Sequence, residues 1–195
     1  MIRQLMRVTG IVICAALLLG ATQCQSTSSG IGPNGPDFVT TLAVEDASGN
    51  TTSSFTLGQP IQLVLSVRNR TTSSQTISFN TAQQYNFVVL DSGSATEVWT
   101  WSLVQTFSQN TTTLTLAAGQ TQTYTVTWDQ TDDNDQLVPS GNYEVFAGMT
   151  CNNSTSSSSS SSTSTNVNCM ATGVPTSDEL APSVYISTLM PFTIQ

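Results

Sequence analysis

The sequence predicts an all-β protein, a single antiparallel sandwich of two sheets, and three observations lead there. Apolar and polar residues alternate in short runs, and turn-forming residues separate those runs. Threonine and β-branched residues dominate the runs, with no helical periodicity after residue 24. Sandwiches are built from such short, evenly punctuated strands.

Strands are expected near 38–46, 61–69, 75–80, 85–91, 96–104, 113–117, 121–129, 142–150 and 184–194. In the second, Ile61, Leu63, Leu65 and Val67 share one face while Gln62, Val64, Ser66 and Arg68 take the other. Tyr124, Val126 and Trp128 alternate with Thr123, Thr125 and Thr127, and Tyr143, Val145, Ala147 and Met149 repeat the pattern. Gly58-Gln59-Pro60, Ser92-Gly93-Ser94, Ala118-Gly119-Gln120 and Ser140-Gly141-Asn142 supply turns between runs. The last strand is expected to return and close a sheet edge. Residues 37–195 thus read as one domain with a core of roughly 130 residues, enough for a sandwich to fold alone.

Composition narrows the function. The chain has no histidine, and its four basic residues are all arginines, so lysine is absent too. A Ser-His-Asp arrangement, an imidazole metal ligand and a Schiff-base amine are therefore unavailable, which points away from an enzyme and from a metal cofactor. Charged residues make up 8% of the chain, where an ordinary soluble domain has about 25%. Arg68 and Arg70 alone would face twelve acidic residues once Arg3 and Arg7 were removed with a leader. Such a surface repels phosphate backbones and anionic membranes, so no nucleic acid is expected as a partner.

Residues 1–24 read as an export signal. Arg3 and Arg7 form a basic start, and Ile11–Leu19 is an apolar run too short to span a bilayer. Cys24 follows Gly20-Ala21-Thr22-Gln23, where a lipoprotein would be cut and acylated, although Ala21 and Gln23 depart from the usual lipobox. Residues 25–36 are rich in Ser, Gly and Pro and suit a flexible tether between a lipid anchor and a domain. Cleavage near Ala21, leaving a soluble protein, is the alternative. The expected location is the cell envelope or the exterior, with membrane contact only through that lipid.

Cys151 and Cys169 bracket residues 152–168, nearly all Ser, Thr and Asn, which cannot bury enough surface to order themselves. In an oxidising compartment the pair reads as a disulfide closing a loop, worth about 3 kcal/mol by chain entropy. Two free thiols flanking a serine expansion is the other reading.

Other residues have weaker claims. Trp99 and Trp101, two apart on an expected strand, would face one side, as an aromatic platform or, more commonly, as core together with Trp128. Asp129, Asp132, Asp133 and Asp135 are dense enough for a calcium site but lack the glycine and closing glutamate of an EF-hand. A solvated hairpin loop is the favoured account of them. Asn50, Asn69, Asn110, Asn152 and Asn153 begin Asn-x-Ser/Thr sequences, which arise by chance in so Ser/Thr-rich a chain.

An ordered series of fragments carries a resemblance. It runs Phe55-Thr56-Leu57-Gly58-Gln59-Pro60-Ile61, Ser66-Val67-Arg68-Asn69, Tyr85–Asp91, then Glu97-Val98-Trp99-Thr100-Trp101-Ser102. Phe107, Ala118-Gly119-Gln120-Thr121, Trp128-Asp129 and Pro139-Ser140-Gly141-Asn142-Tyr143-Glu144-Val145 complete it. In order and spacing this resembles the intracellular proteinase inhibitor (BsuPI) family, an immunoglobulin-like β-sandwich. The resemblance implies a non-catalytic inhibitor with a serine protease as partner. Such a protein presents a pre-ordered extended loop to a protease cleft. Residues 106–112 and 130–140 are the available loops, and Phe107 or Leu137 would suit a subtilisin-like pocket. An Ig-like surface module without inhibitory activity is the competing expectation.

Overall fold

The computed structural model describes residues 31–32, 35–150 and 187–195. The leader, Cys24, residues 25–30 of the expected tether, both cysteines of the expected disulfide and the tract 152–168 lie outside the described residues. Within them the fold is all-β, with antiparallel sheets in a sandwich-like arrangement.

Two short strands, β1 (Ile31–Gly32) and β2 (Gly35–Pro36), pair with each other. The first main sheet holds β3 (Phe38–Glu45), β5 (Ile61–Asn69) and β10 (Thr121–Trp128), in the order β10-β5-β3. The second holds β4 (Ser54–Phe55), β7 (Tyr85–Asp91), β8 (Glu97–Thr100), β11 (Gly141–Met149) and β12 (Met190–Ile194). Its order is β4-β12-β11-β7-β8, antiparallel except where β4 joins β12 in parallel. A separate ribbon pairs β6 (Gln75–Phe79) with β9 (Thr112–Leu116).

Alternation explains the first sheet. Ile61, Leu63, Leu65 and Val67 are all fully buried, and their register partners Leu42, Val44 and Val126 are buried beside them. The threonines of β10 face water. In the second sheet, Phe87 and Val89 of β7 join Val145, Ala147 and Met149 of β11 in the main core. The opposite faces of the same two strands carry Val88, Leu90 and Phe146, a separate buried cluster. Strands covered on both sides read as continuous apolar runs, as Phe87–Leu90 does.

Between the sheets the aromatic rings meet mostly edge to face. Trp128 lies 6.0 Å from Trp99, 6.2 Å from Tyr143 and 6.0 Å from Phe192, which in turn meets Phe55 at 6.0 Å. These spacings are the favourable ones for ring pairs. Tyr143 also donates from its hydroxyl to the Pro139 carbonyl at 2.6 Å, a tyrosine corner of the sort immunoglobulin-like sandwiches carry.

Asn69, fully buried at the end of β5, ties the sandwich to the β6–β9 ribbon. Its Nδ2 donates to the carbonyls of Ser73, Leu116 and Ala117, and its Oδ1 accepts from the Thr71 amide and hydroxyl. Every polar atom of that amide is used, as burial demands. A glycan at Asn69 is thereby sterically excluded.

The expected strand over 96–104 is shorter. β8 ends at Thr100, and Trp101–Val104 forms a 3-10 turn. Side chains from elsewhere take the amides that a longer strand would have placed in a ladder. The Thr100 N–H donates to Asp133 Oδ1 at 2.9 Å, and the Ser102 N–H to Asn86 Oδ1 at 3.1 Å. Trp99 and Trp101 consequently part company: Trp99 is buried in the core, whereas Trp101 is only half-buried. At the other end of the chain, Ser187–Leu189 is irregular and strand geometry begins at Met190.

Candidate protein-interaction site

Residues 130–140 cross from β10 of the first sheet to β11 of the second, fold into a small hairpin of their own, and are fixed from inside. Gln130 is fully buried at φ 64°, and its side chain reaches 70 residues and more back along the chain. Its Nε2 donates to the Thr56 and Gln59 carbonyls at 2.9 and 2.8 Å, and its Oε1 accepts from the Gly58 N–H at 2.7 Å. The Leu57-Gly58-Gln59-Pro60 turn thus grips the hairpin base. Gly58 is required there by its φ of 79°.

Above that base, Thr131 bridges Leu137, and the Asp132 N–H donates to the Gln136 carbonyl at 2.8 Å. Asp132 Oδ1 accepts from the amides of Asn134 and Gln136 at 2.8 and 2.9 Å. The Gln136 amide first, and then that of Asn134, hold this carboxyl below the usual aspartate range. Asp133 docks the hairpin on β8, donating its N–H to the Val98 carbonyl at 3.2 Å besides accepting from Thr100. Asp129 accepts from the Thr131 hydroxyl at 2.7 Å. Asp132 and Asp133 therefore shape and dock the loop. Among the described residues no group of three or more His, Cys, Asp or Glu side chains is placed to hold a metal ion. Leu137 stands out from this hairpin, 54% exposed.

Residues 106–112 are differently built. Phe107 is half-buried against Trp101, ring centres 5.7 Å apart, so it is not presented to a partner. Sequence reasoning missed the neighbouring 3-10 turn, whose Leu103 and Val104 are 60% and 63% exposed. Alternation across 96–104 gave no sign of that turn, because the bonds that make it come from Asp133 and Asn86.

A cleft of about 450 Å³ opens between the β8 end of the second sheet and β10 of the first. Tyr85, Trp99, Trp101 and Val104 line it opposite Thr125–Thr127, with Asp129, Asp132 and Asp135 also on its wall. Trp101 stacks on Tyr85 with ring centres 4.5 Å apart and planes 17° apart, and Tyr85 meets Tyr124 at 4.3 Å. Tyr124 donates its hydroxyl to Gln84 Oε1 at 3.0 Å. Burial, and next the neighbouring Tyr85, push its phenol up to about 12.

Residues 49–154, just over half of the chain, match the family described as BsuPI, intracellular proteinase inhibitor. No curated protein matches. Among solved structures the chain is similar to a β-glucosidase from Erythrobacter marinus, with 13% identity and a TM-score of 0.39 over 81% of this chain and 15% of that one. It is also similar to the alkylpurine DNA glycosylase AlkC of Pseudomonas fluorescens, with 11% identity and a TM-score of 0.40 over 82% of this chain and 30% of that one. A CARDB domain from Pyrococcus furiosus gives 9% identity and a TM-score of 0.36, over 82% and 89% of the two chains. The chain thus spans under a third of the first two structures, and likenesses at this level carry no inference about function.

Proposed function

The chain belongs to the BsuPI family, described as intracellular proteinase inhibitors, and from that membership we propose an exported, non-catalytic inhibitor of a subtilisin-like serine protease. The hairpin 130–140 is the element that supports this reading best. An inhibitory loop must be ordered before it meets the protease, so that little entropy is lost on binding. Gln130, Asp132 and Asp133 supply that order, and Leu137 supplies an exposed apolar side chain of the size a subtilisin-like pocket accepts. The 106–112 loop is the weaker candidate, because Phe107 is engaged with Trp101.

Export rests on the basic start and short apolar run of residues 1–24, with Cys24 as the lipid-bearing residue and Cys151–Cys169 as a disulfide formed after translocation. This departs from the intracellular setting in the family's description. Expressed in a bacterial host, the protein is expected in the membrane fraction, and Cys24→Ser is expected to release it; a wild type that is wholly soluble removes the anchor.

The decisive experiment is an inhibition titration of the full chain against subtilisin and trypsin. Stoichiometric slowing of subtilisin, with trypsin affected least and the inhibitor left uncut, is the expected result. No effect on any serine protease at micromolar protein leaves an Ig-like interaction module in its place.

A further inference from the structure

The cleft beside the hairpin has features that loop insertion into a protease does not use. Among the described residues, β10 is hydrogen-bonded on one side only, to β5, and β8 on one side only, to β7. β10 is eight residues long and contains no proline, no lysine and no bulge. Natural proteins usually blunt such an edge, since its free N–H and C=O groups template the pairing of another chain. Here the edge residues Thr125–Thr127 form one wall of a cavity of about 450 Å³ instead. That volume falls in the range of ordinary ligand sites.

The chemistry of the walls is specific. Trp101, backed by Tyr85 and Tyr124, offers the aromatic surface over which a cation is attracted. Asp129, Asp132 and Asp135 add three carboxylates, and no basic residue is among those lining the cleft. The chain has no lysine or histidine to supply one. Arg68 and Arg70 line a different depression, with Val39, Asn69 and Gly119. Among the described residues no basic side chain lines the cleft, so its carboxylates are open to a cationic partner.

We propose that this cleft docks an extended segment of a partner protein carrying an arginine or lysine. The segment's backbone adds to the edge of β10, and its cationic side chain is received by Trp101 and the three aspartates. Main-chain pairing gives such strand addition its affinity, while the pocket beside the edge gives it selectivity. A cation desolvated between a ring and carboxylates gains from both, and the long-range attraction raises the encounter rate. The assignment does not depend on protease inhibition, because it is tested with no protease present.

Three capped peptides, Ac-Thr-Val-X-Val-Thr-NH2 with X as Arg, Leu or Glu, distinguish cation from edge. Titrated into the isotopically labelled full chain, the Arg peptide is expected to shift amide resonances of residues 99–105 and 124–135. It should bind about tenfold more tightly than the Glu peptide, with Leu between them, and lose that margin at high salt. Asp129→Asn with Asp135→Asn preserves shape, since Asn tolerates the φ of 59° at position 135, and should bring the three peptides together. Trp101→Leu should weaken the Arg peptide more than the Leu peptide. Equal binding of the three peptides to the wild type, shifts mapping elsewhere, or no shifts at about 5 mM peptide would each overturn the proposal.

Discussion

The two loops that flank the cleft are held in opposite ways. Residues 130–140 are pinned through polar groups at the base, middle and side, so the apolar side chain of Leu137 stays outside. Residues 106–112 are tied by the Ala82 N–H to the Ser108 carbonyl and by the Thr112 hydroxyl to the Thr81 carbonyl, while their one large apolar residue turns inward onto Trp101. A loop ordered by hydrogen bonds can offer its apolar residue to a partner. One ordered by burying that residue cannot. The comparison assigns presentation to Leu137 and anchorage to Phe107.

The strongest way to break this difference is to remove the inner anchor. Gln130→Ala strips partners from Gly58 N–H and from the Thr56 and Gln59 carbonyls, and places alanine at a positive φ. A loss of about 3 kcal/mol is expected in urea unfolding, because buried groups are left unpaired. Inhibition should fall in the fraction that remains folded, since Leu137 would no longer be pre-ordered. A stable variant with unchanged inhibition would show that the hairpin does not depend on its base.

Asp133→Ala tests the side of the hairpin alone. It removes a carboxylate acceptor from the Thr100 amide, at a cost of about 1.5 kcal/mol. Hydrogen exchange at Thr100 should accelerate while β5 and β11 stay protected. The pair Phe107→Ala and Leu137→Ala then separates the two roles directly. Phe107→Ala should lower stability by about 1 kcal/mol through lost ring contact and leave inhibition alone. Leu137→Ala, at an exposed position, should stay within about 0.5 kcal/mol of wild type yet weaken inhibition. The reverse pattern would move the contact surface to residues 106–112.

How much of this was legible in the sequence depends on where each structure's cause lies. β5, β10 and β11 were readable to within about a residue because a period of two is imposed locally by one buried face. The 3-10 turn at Trp101–Val104 was not, since its cause is an aspartate more than thirty residues later and an asparagine on a neighbouring strand. β4 is only two residues long and its partner β12 lies at the far end of the chain, so no local pattern marked it. For the site, the 130–140 loop and Leu137 were readable from turn residues, but the role of Gln130 was not. A glutamine next to Asp129 looks like surface until the Thr56–Gln59 turn closes over it. The aspartates were visible as a dense group, whereas which of them shape the loop, which line the cleft, and that Asp132 does both needed the fold.

The last effect expected is a pH dependence, alkaline on the aromatic side of the cleft and acid in the hairpin. Tyr124 ionises at about 12 in the folded protein, raised by burial and next by Tyr85, against about 10 when unfolded. A raised folded value means that the neutral phenol is favoured by the fold. Its contribution is complete below pH 10 and is withdrawn as pH climbs from about 10 towards 12, where the unfolded chain releases the proton first. Tyr124 is half-buried, so solvent screening trims the effect. Tyr124→Phe loses the hydrogen bond to Gln84, at about 1 kcal/mol near neutrality. The same variant should unfold less steeply than wild type between pH 10 and 12, so the two stability curves should converge there. Asp132 supplies the opposite limb: with its carboxyl held below the usual range, hairpin order is expected to persist through pH 5 and to fade as pH falls below about 4. Parallel alkaline curves for the two proteins would place the phenol of Tyr124 in water rather than against Tyr85.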